Sequence, residues 1–440
     1  MVYKFIRGRI VGKPNLEITP EDAAELGAIL GSWYGEKSIV VSGRDYNPSS
    51  RMLKRAFVAG LMSAGVDVMD FHESLSGEIS YSIKRFGARG GVNVSTYPLI
   101  ESHVQFRIFT TPGYEVVGDE LANIIKDKYI RRTEPGRTGW VTYAEYIHKL
   151  YVSALTAFIN NDIIANKGFN IVVSTSYGPS DLVLPDLFAS LNVEYILLSS
   201  GKRITKGFRY PLIDEIKKVA DIVRSTGMDL GVILNNDASS LVIIDDNGNP
   251  LLPEEAALIL LQMIPKGSNI VVSEDTFLFI DKAFSYNNIA VDRVNLSEAS
   301  VMKRCFKLRP ILGFNNVGEY IHPLFSLGYD AVLTLAKVLE SLASTGKNLS
   351  SVIRSYIYPR YYTIETSLPL EDVAVKICGQ KNAYCGQYIG GYRVRLMGQN
   401  IAITYDPLTD NTRILIDSHA QSIDKIVQMV QDILTKEGGK

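Results

Sequence analysis

Three short, continuously apolar strands constrain the fold of this chain more than any other feature of its sequence. Residues 38–42 read SIVVS, and a nearly identical string, NIVVS, occurs at 170–174 and again at 269–273. A strand without polar alternation is typical of a parallel sheet that is covered on both faces. Each string is followed by a loop and an amphipathic helical pattern, so the sequence predicts three related α/β units.

Helix and strand patterns flank these three strings. In the first unit, Pro20 opens one helical pattern and Pro48 opens a second, and proline is common in the first turn of a helix. The string GVNVS at 91–95 is predicted as a further strand. In the two later units, the apolar spacing predicts helices near 181–191 and 277–286.

The end of the chain has a different pattern. Residues 391–416 contain three hairpin-like strand segments, YRVRLM, NIAITY and TRILI, with turn residues between the last two. A helical pattern with one apolar face follows at 423–434. This region is therefore predicted to be a small α+β domain that packs on the other units.

Length and charge narrow the class of protein. Single hydrophobic cores stop growing near ~250–300 residues, so a chain of 440 residues is expected to form two to four domains. Lys and Arg number 46 and Asp and Glu 47, which argues against binding of nucleic acid through a basic surface. The sequence has no long apolar run and no apolar signal-peptide core, so we expect a cytoplasmic protein without a transmembrane helix.

The chain has three cysteines, Cys305, Cys378 and Cys385. No Cys-x-x-Cys pair or neighbouring histidine suggests a zinc site. Cys378 and Cys385 are close enough in sequence to form a local disulfide, but two reduced thiols in a loop are the favoured interpretation.

Four longer stretches, 41–72, 228–248, 312–340 and 400–416, can be compared with a known family. The first reads VSGRDYNPSSRMLKRAFVAGLMSAGVDVMDFH and the last reads NIAITYDPLTDNTRILI. In order and spacing they resemble the α-D-phosphohexomutases, which interconvert hexose 1- and 6-phosphates. The resemblance implies a phosphohexomutase-like α/β fold, with three related α/β domains of mostly parallel mixed sheets and a C-terminal α+β domain.

The resemblance also implies domain boundaries. We predict a first domain at 1–148 with a degenerate phosphoserine loop and a second at 149–247 with a degenerate metal loop. A third domain at 248–350 would carry an altered sugar-binding loop. A fourth at 351–440 would carry a degenerate phosphate-binding loop.

The family transfers a phosphoryl group from a phosphoserine, and the motif for this donor is altered. Where the family has Thr-Ala-Ser-His-Asn-Pro, residues 95–100 read STYPLI. An alignment without a gap places Tyr97 at the serine and a two-residue gap places Thr96 there, so Ser95, Thr96 and Tyr97 are the candidate hydroxyls. The family's acid/base lysine falls at Arg107, and a guanidinium holds phosphate but does not act as a base near neutral pH. We therefore predict that this donor site is not functional.

The metal motif is altered as well. Where the family has Asp-Gly-Asp-Gly-Asp-Arg, residues 235–240 read NNDASS. Asp237 is the one carboxylate that remains, and Asn235 and Ser239 offer neutral oxygens, whereas Mg²⁺ prefers charged oxygen ligands. We predict a polar turn with weak or no metal binding and no cofactor; Mg²⁺ would be needed only if the family's activity is retained.

The two loops that hold the substrate in the family are changed too. The sugar loop Gly-Glu-x-Ser-Gly-His aligns with FNNVGE at 314–319, which makes Asn315, Asn316 and Glu319 candidate sugar contacts. The phosphate loop Arg-Pro-Ser-Gly-Thr-Glu-Pro aligns with TYDPLTD at 404–410. Its arginine is lost and two aspartates have appeared, so we expect this loop to repel a phosphate dianion.

Three arginines remain as candidate anion contacts. Arg7 matches the arginine that faces the phosphoserine in the family, Arg44 lies in the motif GRD, and Arg413 follows the phosphate loop. For Arg44, an internal ion pair with Asp45 is an equally supported interpretation.

These altered motifs favour a phosphohexomutase homologue that has lost mutase catalysis. Such a protein would bind a sugar, a sugar phosphate, a nucleotide sugar or a protein partner. One alternative is an active phosphomannomutase or phosphoglucomutase with an aberrant active site. Another is a regulatory subunit that pairs with an active paralogue, and a homodimer is also expected as an option. No nucleic-acid or membrane partner is predicted.

Overall fold

The computed structural model describes residues 3–127, 129–202, 209–294, 298–356, 360–419 and 423–435. These residues form four β-sheets that follow one another along the chain, with helices packed on them. Within the described residues, no helix combines the length and the apolar composition needed to cross a membrane.

The first sheet has parallel strands at its centre, with helices on both faces. Its strands are β1 (Phe5–Ile6), β2 (Arg9–Gly12), β3 (Ile39–Arg44), β4 (Asp67–Glu73), β5 (Gly90–Thr96), β6 (Val104–Thr110), β7 (Tyr114–Val116) and β8 (Val141–Tyr143). Its helices are α1 (Pro20–Tyr34), α2 (Pro48–Ser63), α3 (Ser76–Arg85) and α4 (Gly118–Lys126). On β3, Val40 packs with Phe57 of α2 while Val41 packs with Ile79 of α3, so the apolar string is buried on both sides as expected.

The second and third sheets each have four strands. The second region comprises α5 (Ile147–Phe158), α6 (Asn161–Lys167), β9 (Asn170–Ser174), α7 (Leu184–Leu191), β10 (Glu194–Leu198), α8 (Ile213–Thr226), β11 (Leu230–Leu234) and β12 (Leu241–Ile244). The third comprises α9 (Pro253–Leu260), β13 (Asn269–Ser273), α10 (Phe279–Tyr286), β14 (Ala290–Val294), α11 (Glu298–Leu308), β15 (Leu312–Phe314), β16 (Tyr320–Ile321), α12 (Ala331–Thr345) and α13 (Leu349–Arg354). The helices predicted near 181–191 and 277–286 begin a few residues later than expected; the first is preceded by a short 3₁₀ turn at Pro179–Leu182.

The same four-strand arrangement occurs in each of these three sheets. The strand that comes first in each set, β3, β9 or β13, lies in the middle. The next strand along the chain pairs with it on one side and the following strand pairs with it on the other, and all three are parallel. The fourth strand pairs antiparallel with the third, giving β4-β3-β5-β6, β10-β9-β11-β12 and β14-β13-β15-β16. The prediction of three related α/β units with mostly parallel mixed sheets is therefore confirmed.

The fourth sheet is antiparallel, as the pattern of the C-terminal region predicted. Its elements are β17 (Tyr361–Thr366), α14 (Leu370–Cys378), β18 (Ala383–Tyr388), β19 (Gly391–Leu396), β20 (Gln399–Asp406), β21 (Asn411–Asp417) and α15 (Ile423–Thr435). The order of the strands is β17-β21-β20-β19-β18. The predicted domain boundaries stay a prediction, because a sheet's extent does not define where a domain ends.

The favoured interpretation of Cys378 and Cys385 as reduced thiols is wrong in this structure. The two residues form a disulfide with a Cα–Cα distance of 6.0 Å. Cys378 is the last residue of α14 and Cys385 lies on β18, the next element, so a short turn brings the two together. The remaining thiol, Cys305, is buried.

A buried carboxylate, Asp330, connects the third region with helix α5. One of its oxygens accepts a hydrogen bond from the Leu333 N–H at 2.9 Å and so caps α12, and the Tyr151 hydroxyl donates to both oxygens at 2.7 Å. Burial raises the pKa of Asp330 to about 6. The folded chain therefore binds this proton more tightly than the unfolded chain does.

Replacement of Asp330 by asparagine should become progressively more favourable as the pH rises. The proton's contribution to stability is present below the unfolded pKa and is lost as the pH rises through about 6. Between pH 4 and pH 8 the stability difference between Asp330→Asn and wild type should shift towards the variant by about 2–3 kcal/mol. Urea unfolding of both proteins at the two pH values measures this shift. Asparagine keeps an acceptor for the helix cap, so the cap itself does not depend on pH. A stability difference that does not change with pH would therefore contradict the prediction.

Candidate functional site

The predicted donor, metal and sugar loops occupy the same position in three related sheets. Each lies between the third and fourth strand of its sheet, at 97–103, 235–240 and 315–319. Because the three sheets share one strand arrangement, these hairpin loops are structurally equivalent. In the sequence these loops were identified as separate motifs. The structure shows that they meet at one place.

Backbone and side-chain contacts join the three loops. The Asn236 amide donates to the carbonyl oxygen of Thr96 at 3.2 Å, which links the second loop to the first. The Leu241 N–H donates to the carbonyl oxygen of Gly318 at 3.0 Å, and Ser240 forms a β-bridge with Glu319. The metal-loop residues are therefore fixed between the other two loops.

The three candidate donor hydroxyls are buried where β5 ends. Ser95 donates to Asp237 Oδ2 at 3.4 Å and accepts from the Gln105 amide at 3.1 Å. The Thr96 hydroxyl donates to Asp45 Oδ2 at 2.6 Å, and the Tyr97 side chain is only 2% exposed. Each of these hydroxyls is enclosed by protein atoms, so none is presented to the open cleft.

Arg107 forms the centre of a buried ion cluster. Its Nη1 contacts Asp237 Oδ2 at 3.0 Å and its Nη2 contacts Glu115 Oε2 at 3.0 Å. Arg9 contacts Glu115 Oε1 at 2.6 Å, and Glu319 Oε1 lies 3.9 Å from a nitrogen of each arginine. All five side chains are at most 7% exposed. The predicted acid/base position is therefore held by ion pairs within the protein.

The pKa shifts agree with this geometry. Burial is the largest single effect and would raise the pKa of Asp237, but the charge of Arg107, the hydrogen bonds from Ser239 and Arg107 and the charge of Arg9 together lower that pKa. Glu115 is affected in the same way by Arg107 and Arg9, and its pKa is also lowered. Burial and the positive charge of Arg9 would lower the pKa of Arg107, but the surrounding carboxylates raise it overall. Asp237 and Glu115 are therefore ionised at neutral pH, and Arg107 is not available as a proton acceptor.

The metal-loop residues do not fit a magnesium ion. Asp237 Oδ1 accepts from the Asn235 amide at 2.9 Å and from the Ser239 N–H at 3.1 Å, while Oδ2 faces Arg107. Asn235 also donates to the Ser239 hydroxyl. The cavity beside these residues measures about 40 Å³, room for about one water molecule. Both oxygens of the one carboxylate are thus engaged, and Mg²⁺ needs charged ligands that it does not share with a guanidinium.

A much larger cleft, of about 660 Å³, opens beside this filled centre. It is lined by the first sheet region at Arg7 and Gly118, by the sugar loop at Asn315 and Asn316, and by strands β18 to β20 of the fourth sheet. Its volume lies within the range that is common for small-molecule sites. The sugar loop therefore lines this large cleft, whereas the donor and metal loops line the smaller cavity.

Within the sugar loop, Asn315 has a structural role. Its Oδ1 accepts from the N–H groups of Val317 and Glu319, at 3.1 and 3.2 Å, and its amide donates to Glu319 Oε2 at 2.7 Å. Gly318 has φ +82°, and a Cβ at this position would lie 2.5 Å from the carbonyl oxygen of Leu241. Asn315 and Glu319 thus shape the turn, and the neighbouring Asn316 lines the cleft.

Arg7 extends from the hairpin turn between β1 and β2 to the fourth sheet. It has φ +49° and precedes Gly8 at φ +76°, so the turn places a non-glycine residue in the left-handed region. Its Nη2 donates to the carbonyl oxygen of Gln387 on β18 at 3.3 Å. Among the described residues, no carboxylate forms an ion pair with Arg7. Its charge therefore remains available to an anion in the cleft.

The prediction that two aspartates make the phosphate loop repulsive needs correction. Asp406 is buried and contacts Arg413 at 2.5 Å, and Arg413 also contacts Glu365 at 3.3 Å. Asp410 is exposed and pairs with Lys217 at 3.0 Å. Both aspartates are therefore paired with a cation, although Arg413 is shared between Asp406 and Glu365. Arg413 is not a free anion contact for the same reason.

The proposed ion pair between Arg44 and Asp45 is also wrong. Arg44 donates to the backbone carbonyl of Asp45 and forms its ion pair with Glu73 at 3.0 Å. The Asp45 carboxylate instead accepts from the Thr96 N–H at 2.7 Å and from the Asn236 amide at 3.1 Å. Arg44 therefore supports the loop and does not face the cleft.

Sequence reasoning missed Arg9, Gln105 and Glu115. One sign was available, because Gln105 and Arg107 are polar residues at alternate positions of an otherwise apolar strand, VQFRIFT. Polar residues on a buried face must find partners, so they indicate a buried network. Which residues supply those partners depends on strand pairing that one sequence does not reveal.

Comparisons with known proteins agree with this architecture. Family models match two regions: "Phosphoglucomutase/phosphomannomutase, alpha/beta/alpha domain I" at residues 5–134 and the corresponding domain II at 149–248. The chain is 27% identical to the phosphoglucomutase/phosphomannomutase of Thermococcus kodakarensis, over 82% of this chain and 81% of that protein. It is 24% identical to the phosphoglucosamine/phosphogalactosamine mutase of Sulfurisphaera tokodaii, with the same shares covered. A phosphoglucomutase/phosphomannomutase family protein from Burkholderia thailandensis has the same fold, with a TM-score of 0.73, 18% identity and coverage of 98% and 96%.

Proposed function

Because this chain belongs to the phosphoglucomutase/phosphomannomutase family, we propose that it binds a hexose phosphate in the open cleft without transferring the phosphoryl group. Phosphoryl transfer requires a donor group, charge neutralisation and a proton acceptor at one place. Here the corresponding loops surround a cavity of about 40 Å³, while the sugar loop faces a cleft of about 660 Å³. The proposal therefore separates binding from catalysis.

The ion pair between Arg107 and Asp237 is the observation that carries this proposal. It joins the residue at the family's acid/base position to the last carboxylate of the metal loop, at 3.0 Å and with both side chains at most 1% exposed. A catalytic metal ion would have to displace the guanidinium, and the guanidinium would have to leave a site where three carboxylates hold it. Separating buried charges in this way is costly.

The cleft offers chemistry that suits a sugar phosphate. Arg7 provides a guanidinium that is free to pair with a phosphate dianion. Among the described residues, the Asn316 side chain has no hydrogen-bond partner, and it lines the same cleft, so its amide is available to sugar hydroxyls. Hydroxyls and a dianion are the two features that hexose 1- and 6-phosphates share.

Calorimetric titration tests this proposal. Glucose 1-phosphate and mannose 1-phosphate should bind the wild-type protein, and glucose should bind at least ten-fold more weakly because it lacks the dianion. Arg7→Met should lose about 2 kcal/mol of binding free energy, the range for a charge-assisted contact. Arg137→Met is the matched control, since this arginine is 67% exposed, lies outside the cleft and pairs with Glu134 at 3.9 Å. Equal losses in both variants, or no binding by wild type, would contradict the proposal.

A second candidate function, an active mutase, is supported by the comparisons. The similar proteins are named as mutases, and nothing in the comparisons indicates a loss of catalysis, so on that evidence alone an active mutase is the better-supported function. It would need one of the hydroxyls of Tyr97, Thr96 or Ser95 to become accessible as a donor. Turnover that depends on Mg²⁺ and disappears in Tyr97→Phe, Thr96→Val or Ser95→Ala would establish it. A homodimer and pairing with an active paralogue stay predictions.

A further inference from the structure

A third cavity, of about 270 Å³, lies between the fourth sheet and the second and third regions. Val242 of β12 and Leu252, which precedes α9, form part of one wall. The opposite wall is the face of the fourth sheet that bears Thr404, Arg413 and Glu365, which lie side by side on β20, β21 and β17. Its volume is just below the range that is common for drug-sized ligands, so it has room for a smaller molecule.

The Tyr388 hydroxyl belongs to an almost fully buried side chain and is directed into this cavity. The residue is 3% exposed, and its hydroxyl forms no hydrogen bond among the described residues. A Cβ at Gly390, which lines the same cavity, would lie 3.2 Å from the hydroxyl oxygen. Buried polar side chains nearly always have a hydrogen-bond partner. This hydroxyl is therefore a polar group whose partner a bound molecule can supply.

Two further polar groups of the cavity are open to a ligand. The Thr404 hydroxyl also lacks a hydrogen bond among the described residues, and the residue is only 8% exposed. Arg413 contacts Asp406 through Nη2 and Glu365 through Nε, which leaves Nη1 without a contact in the described part of the chain. Two hydroxyls and one N–H donor therefore line the same cavity.

The charges around the cavity exclude most classes of ligand. Arg413 is the one basic side chain among the described residues that line it, and Asp406 and Glu365 share this arginine, which gives a local charge of 1 − 2 = −1. The other lining carboxylate, Glu255, is paired with Arg360 at 3.0 Å. An anion would meet the net negative charge, and a cation would meet the guanidinium that holds both carboxylates. Hydroxyl groups both donate and accept, so they suit a ligand that carries hydroxyls and no charge.

We propose that this cavity is a second ligand site, which binds an uncharged monosaccharide. The hydroxyls of Tyr388 and Thr404 exchange hydrogen bonds with sugar hydroxyls, and Nη1 of Arg413 donates to one of them. The rings of Tyr361 and Tyr405 line the same cavity and give the sugar ring an apolar surface to pack on. Among the described residues, none lines both this cavity and the large cleft, so the site does not rest on the proposed binding of a hexose phosphate.

Saturation-transfer difference NMR of glucose and of mannose with the full chain tests this inference. Wild type should give a saturable signal with glucose or mannose, and Tyr388→Phe/Thr404→Val, which removes both hydroxyls, should bind that sugar at least ~10-fold more weakly. Because neither hydroxyl bonds to another described residue, the double variant should keep the wild-type melting temperature. Tyr362→Phe is the matched control and should bind as wild type does, since Tyr362 lies on β17, is 44% exposed and does not line the cavity.

Three results would overturn the inference. The first is the absence of saturable binding by both sugars, and the second is equal binding by wild type and by Tyr388→Phe/Thr404→Val. The third is binding that Arg7→Met abolishes and the double variant retains, because the sugar would then occupy the large cleft. Arg7→Met should instead bind the uncharged sugar as wild type does while it binds glucose 1-phosphate more weakly. Failure of the hexose phosphate proposal would therefore leave this result unchanged.

Discussion

Replacing Asp237 by alanine should lower the free energy of unfolding by about 3–5 kcal/mol. The substitution removes the carboxylate that contacts Arg107 at 3.0 Å in a site where both side chains are at most 1% exposed. It also removes the acceptor of hydrogen bonds from Asn235 and Ser239. A buried guanidinium that loses one partner retains its desolvation cost, and this cost dominates the change. Urea unfolding of the variant and of wild type at neutral pH measures the loss.

Asp410→Ala is the matched control for this prediction. Asp410 contacts Lys217 at the same distance, 3.0 Å, but the two side chains are 71% and 48% exposed. Water screens this pair and solvates whichever partner remains, so we expect a loss of no more than about 1–2 kcal/mol, most of it from the strain of alanine at a backbone position with φ +58°. If the two alanine variants lose similar amounts of stability, burial is not what makes the Arg107 cluster important for the fold.

Replacing Glu254 by alanine should release the fourth sheet from the third region. Glu254, on α9, contacts Arg393 of β19 at 2.6 Å, with side chains that are 0% and 5% exposed, and it also accepts from the Phe277 N–H at 3.1 Å. The Arg393 guanidinium lies over the rings of Phe277 and Tyr388, 5.2 and 5.4 Å from their centroids. Removal of the carboxylate leaves a buried charge at an interface between sheets, at a cost of about 3–5 kcal/mol.

The interface should respond in a way that distinguishes release from general unfolding. In Glu254→Ala, amide hydrogen exchange should accelerate in β17 to β21 while the first sheet keeps its protection. Glu274→Ala is the control, because Glu274 pairs with Arg395 on the same strand but both side chains are about a third exposed. Its removal should cost no more than about 0.5 kcal/mol. Uniform acceleration across all four sheets in Glu254→Ala would show that this ion pair does not hold the fourth sheet specifically.

The strands and the order of the sheets were predictable from the sequence because local patterns determine them. The strings at 38–42, 170–174 and 269–273 became the buried central strands of three sheets, and the alternating C-terminal segments became an antiparallel sheet. The motif comparison also pointed to three loops that the structure brings together. It did not reveal that these loops are equivalent hairpins, because two of the three antiparallel fourth strands, β12 and β16, have only 4 and 2 residues and carry weak patterns.

The partners of the buried charges were not predictable from one sequence. Arg107 was interpreted as a phosphate holder, yet its charge is taken by Glu115 and Asp237, which lie 8 and 130 residues away along the chain. Asp406 was interpreted as repelling phosphate, although Arg413 on the neighbouring strand neutralises it. Side-chain pairing across sheets follows from tertiary packing, and residue types alone give only the sum of the charges. The disulfide between Cys378 and Cys385 was misjudged for the same reason, because the turn that brings them together has no strong sequence pattern.

Phosphorus NMR of glucose 1-phosphate mixed with equimolar protein, Mg²⁺ and a bisphosphate activator tests whether the protein binds a hexose phosphate without transferring its phosphoryl group. One spectrum reports binding through broadening of the 1-phosphate resonance and catalysis through growth of a 6-phosphate resonance. We expect the 1-phosphate resonance to broaden and no 6-phosphate signal to appear. The incubation should be long enough for an enzyme with turnover near ~1 s⁻¹ to reach equilibrium many times over. Growth of the 6-phosphate signal would contradict it, because it would mean that the site around Arg107 and Asp237 opens to transfer a phosphoryl group.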